Sequence, residues 1–161
     1  MNSNKHEIMI DFRENQQELC RILGGVTNYE RFTTEIFTEL RKAFPEDNAE
    51  SNTWVEKHEQ QTSLRSDRGS LALIGIIAVV LGVNQISQID MEKVKPKLEI
   101  IISVLKKVYS KFCSIREGKS HIHLKFGKDG IRDIDLIAAE ENMPKLLQDV
   151  VDAIQKTKKN G

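Results

Sequence analysis

The sequence has no excess of either charge: 24 lysines and arginines balance 24 aspartates and glutamates in 161 residues. That balance removes the global field that would draw a chain to nucleic acid or to an anionic membrane, and leaves only local patches as an electrostatic route to a partner. Cysteine is scarce. Cys20 and Cys113 are the only two, and no CxxC joins them, so the paired spacing of a redox centre or zinc ribbon is excluded. Each lies in an apolar helical pattern and reads as a buried free thiol of a reducing compartment, with one disulfide between them as the alternative. There is no Walker A sequence, no GxGxxG, no GxSxG and no HExxH, which removes the common local signatures for phosphate, dinucleotide, acyl-transfer and zinc-protease chemistry. The opening MNSNKHEIMIDF lacks a basic segment feeding a long apolar region. No secretory signal is therefore expected, and the cytoplasm is the default location.

Long apolar runs are equally few. One dominates, Leu71 to Val83, reading LALIGIIAVVLGV. As a helix it would extend roughly 20 Å against a hydrocarbon core of about 30 Å, too short for an ordinary membrane span. A buried core element is the preferred reading, and a lipid-contacting segment or an oligomer interface are its rivals. The β-branched residues Ile74, Ile76, Ile77, Val79, Val80 and Val83 suit a strand. Length argues otherwise, since strands usually run about 5 or 6 residues, and it predicts a helix over 69–83 with Asp67 or Ser70 as N-cap and Gly82 near its end.

A chain of this length fits a single α+β domain over 1–161, long enough to bury roughly two thirds of its unfolded surface. Residues 6–12 alternate, with Ile8, Ile10 and Phe12 on one side, as a half-buried strand does. Leu19, Cys20, Ile22 and Leu23 gather on a helical face that Gly24 and Gly25 stop. A second helix follows, capped by Asn28, striped by Tyr29, Phe32, Ile36, Phe37, Leu40 and Phe44, and limited by Pro45. The polar stretch 46–69 is a loop or an edge strand, with weak alternation over 52–60. Met91 to Phe112 carries the longest helical pattern, buried through Leu98, Ile101, Ile102, Leu105, Val108, Tyr109 and Phe112. Pro96 places Met91 to Lys95 in a separate turn or a kinked lead-in. Residues 120–126 and 131–136 around Asp129-Gly130 read as an antiparallel hairpin, and a closing helix from about Glu141 ends in a frayed tail over 156–161. Three or four mainly antiparallel strands are expected, with the apolar segment and the two later helices packed on one face.

Candidate sites are sparse. His121 and His123 form an HxH on one strand face, and with a third ligand from His6, His58, Cys113 or a carboxylate they would make a metal-binding protein or small metalloenzyme. Two ligands do not make a site, so no metal and no cofactor is expected. Asp133 and Asp135 share a strand face but read as solvated hairpin carboxylates. Lys125, Lys128 and Arg132, with Lys106, Lys107 and Lys111, suggest a phosphate-binding patch, yet they lack interleaved exposed aromatics, and no nucleic acid is expected. Trp54, the only tryptophan, is either a plug at the edge of the core or, if exposed, a contact anchor. His121, His123, Lys125 and Arg132 join it as the expected interaction residues, and no catalytic residue is assigned.

One arrangement resembles a known type. An N-terminal strand and helix, then Arg68-Gly69-Ser70-Leu71 leading into the apolar segment, a helix, a hairpin turning at Asp129-Gly130 and a closing helix are similar to the effector-associated constant component domains of bacterial conflict systems. The resemblance covers mainly residues 68–155. It implies a non-enzymatic adaptor of a bacterial defence system that couples a sensor to an effector protease or nuclease by protein contact, with homo-oligomerisation through a sheet edge also open. The rival is a membrane-linked subunit using 71–83, which the shortness of that run disfavours.

Overall fold

A computed structural model describes residues 6–14, 16–45, 53–62, 71–82, 91–112 and 123–126. Four strands and three helices lie within them, in the order β1 (His6–Asp11), α1 (Gln16–Leu23), α2 (Val26–Ala43), β2 (Trp54–Thr62), β3 (Leu71–Gly82), α3 (Met91–Phe112) and β4 (His123–Phe126). The strands form one sheet in the order β2-β3-β1-β4, and every adjacent pair is antiparallel. The architecture is α+β.

The alternation of β1 sets the inside of the sheet. Ile8, Ile10 and Phe12 are buried in the main core together with Val55, Ile77, Val79 and Leu124 from the other strands. In register Ile8 stands beside Val79, and Ile10 stands between Ile77 and Leu124, so these side chains rise from one face of the sheet. The helices cover that face. Leu19, Cys20 and Leu23 of α1, Tyr29, Phe32, Ile36 and Leu40 of α2, and Leu98, Ile101, Ile102, Leu105, Val108 and Tyr109 of α3 belong to the same cluster. Phe32 is its hub, meeting Phe12, Tyr109 and Phe112 edge-on with ring centres 6.2, 6.3 and 5.7 Å away. Each such ring or branched side chain contributes about 1.5 to 3 kcal/mol by leaving water.

The apolar run is a strand, which corrects the helix expected over 69–83. β3 lies between β2 and β1, and Ile77, Ala78, Val79 and Val80 are all fully buried. A strand covered on both faces needs no polar side, so its sequence shows neither a two-residue nor a 3.6-residue rhythm. Its 12 residues exceed the usual length because the ladder is interrupted. Ile76 pairs with His58 and Ile74 with Glu59, leaving Gly75 as an extra residue; towards the other end Val80 pairs with Glu7 and Gly82 with His6, leaving Leu81. Such bulges bend a long strand and let it remain in a twisted sheet. The segment is thus part of the sheet rather than a layer packed upon it.

Two boundary expectations also change. Asn28 does not cap α2: its Nδ2 donates to Leu23 O at 2.7 Å, closing the end of α1, while Gly25 stands at the α2 N-cap with no side-chain bond. The chain can turn there because Gly24 and Gly25 have φ of 91° and 129°, a region open chiefly to glycine. Pro96 lies inside an unbroken α3 rather than after a separate turn. As the sixth residue it forfeits the bond to the Glu92 carbonyl, close to the exposed start of the helix where water can replace it. The partner strand after 126 and the closing helix lie outside the described residues. So does Cys113, whereas Cys20 is a buried free thiol.

Candidate functional site

β2 pairs with β3 alone among the described residues, which makes it the outer strand on that side. Its start is pinned from the helical layer, where Lys97 Nζ of α3 donates to the buried Thr53 Oγ1 at 2.8 Å. Alternation then sends Val55 into the core, while Lys57 lies with its ammonium 5.3 Å from the centre of the Phe37 ring of α2 and 3.3 Å from Glu59 Oε1. Trp54, Glu56 and His58 take the other face.

Those three side chains are linked. Trp54 Nε1 donates to Glu56 Oε1 at 2.8 Å, and Glu56 Oε2 lies 3.7 Å from His58 Nε2. The indole is half-buried and stands outside the main core cluster. Its polar edge is satisfied by a neighbour two residues along the same strand.

Register decides which other expected residues share this face. Trp54 aligns across the sheet with Val80 and Glu7; Glu56 with Ala78, Met9 and Lys125; and His58 with Ile76, Asp11 and His123. Among the described strands, β4, which carries positions 123 and 125, lies three strand spacings or about 14 Å from β2. Between them Ala78 and Val80 are fully buried, and Met9 and Ile76 are half-buried. His121 and Arg132 lie outside the described residues. No group of three histidine, cysteine, aspartate or glutamate side chains is placed to hold a metal ion among the described residues. Among them, too, no helix is long and apolar enough to cross a membrane.

A second polar arrangement, not anticipated from sequence, fastens the exit of β1. Asp11 is only 2% exposed; it accepts from the Arg13 backbone N–H at 2.9 Å and from Arg13 Nε and Nη2 at 3.0 and 2.8 Å. The hydrogen bond with Asp11 holds the Arg13 guanidinium above its ordinary pKa. Phe12 N donates to Gly75 O at 2.9 Å, tying the same turn to the β3 bulge. Tyr29 Oη donates to Ile74 O at 2.6 Å and accepts from Gln16 Nε2 at 3.1 Å. Burial pushes the Tyr29 phenol well above its usual range, and burial likewise raises the Cys20 thiol. These groups are held in the forms that suit structure, a neutral phenol and a protonated thiol, rather than poised for proton transfer or nucleophilic attack. The Asp11-x-Arg13 spacing at a strand end was the available signal, since a carboxylate two residues before a cation can fold back onto the turn.

Comparison of the chain with family models, with curated proteins and with solved structures finds no match.

Proposed function

We propose that this chain is a non-enzymatic, cytoplasmic protein-interaction module, an adaptor that couples a sensor to an effector protease or nuclease in bacterial defence. The sensor, effector and defence assignments rest on the resemblance of residues 68–155 to effector-associated domains, and the choice of contact surface is supported by the position of Trp54 on β2. One observation carries the choice of surface: Trp54 stands outside the core on the outer strand β2, with its ring oriented by Glu56. A large ring already held in place loses little freedom on binding, which is why tryptophan is enriched among residues that dominate interface energies.

The same strand carries Glu56, Lys57, His58 and Glu59 in succession. Charges along a strand oppose indiscriminate edge pairing, so the contact proposed is made by side chains about Trp54, and self-association through β2 is the weaker form of the proposal. The test is to purify the chain from its native cells, identify the protein that accompanies it in fixed stoichiometry, and measure that complex with Trp54→Ala. Binding weakened at least about tenfold, equivalent to about 1.4 kcal/mol, with an unchanged circular dichroism spectrum, supports the surface. Equal affinity removes Trp54 from it, and the absence of any stoichiometric protein partner removes the adaptor reading itself.

A further inference from the structure

We draw no further inference here: the strongest candidate, the Trp54, Glu56 and His58 stripe along the outer strand β2, belongs to the surface already proposed for protein contact, and nothing in the structure shows the chemistry of what covers it.

Discussion

At the scale of single residues, the fold is fastened by a few polar groups that are buried and fully used. Tyr29 bridges three elements, taking a hydrogen bond from Gln16 of α1 and giving one to Ile74 of β3. Replacing it with phenylalanine leaves both partners in a buried setting without their bond, a cost of about 1 to 3 kcal/mol that urea unfolding followed by circular dichroism reads as a lower midpoint with an unchanged slope. The phenol also gives stability a pH dependence. Its folded pKa is raised from the ordinary value of 10.0, so its contribution is fully present below pH 10.0 and is lost as pH rises towards the folded value, because ionising it in place would bury a charge. Stability is therefore expected to fall above pH 10.0 more steeply in the natural protein than in Tyr29→Phe. Equal slopes would place the phenol in water. Cys20 offers an independent check: 7% exposed and raised in pKa by burial, its thiol should react with a maleimide in a Cys113→Ser background only at the rate at which the protein opens.

At the scale of elements, β3 shows both what sequence can convey and where it misleads. Its apolar character correctly marks a buried element, but burial on both faces erases the rhythm that tells strand from helix, and the extra residues Gly75 and Leu81 allow a strand longer than the usual range. The β-branched residues carried the better signal. By contrast α1, α2 and α3 each have one wet side, and β1 keeps a two-residue alternation through the buried Ile8, Ile10 and Phe12, so their patterns gave the correct type. Asn28 was misread because an asparagine just after a glycine pair can close the preceding helix as well as open the next. Two substitutions probe β3. Ile77→Ala, at a fully buried position, is expected to cost about 2 to 5 kcal/mol in urea unfolding. Gly75→Ala should also destabilise, by about 1 to 3 kcal/mol, since the added Cβ would meet Arg13 Cγ at 3.0 Å and Gln60 Cδ at 3.1 Å, and Arg13 is held in place by its bonds to the buried Asp11.

At the scale of the whole molecule, a helical layer covers one face of a sheet whose central strand is apolar throughout, and the outer strand β2 carries the polar and aromatic stripe. The pairs Lys107–Glu39 at 3.9 Å and Lys111–Glu35 at 2.7 Å join α3 to α2 at the surface; screened by water, each contributes about 0 to 1 kcal/mol, so packing about Phe32 holds the layer. The site was only partly legible in the sequence. Composition singled out Trp54, but its relation to Glu56 and His58 depends on strand alternation in a stretch whose pattern is weak. The position of His123 and Lys125 on β4 depends on β1 lying between β4 and β3, a non-local pairing that no local pattern specifies. Trp54→Ala should therefore leave thermal unfolding within about 1 kcal/mol of the natural protein, an edge residue outside the core cluster having less to lose than a buried ring.

The decisive measurement is backbone amide hydrogen exchange resolved residue by residue, with secondary chemical shifts from the same spectra. Because β3 is paired on both sides and buried on both faces, the amides of Ile77, Ala78, Val79 and Val80 should be among the slowest in the protein, exchanging only on global unfolding, with shifts of extended backbone. Helical shifts across 71–82, or exchange there as rapid as at the exposed start of α3, would contradict the central strand and with it the placement of Trp54 on an outer edge.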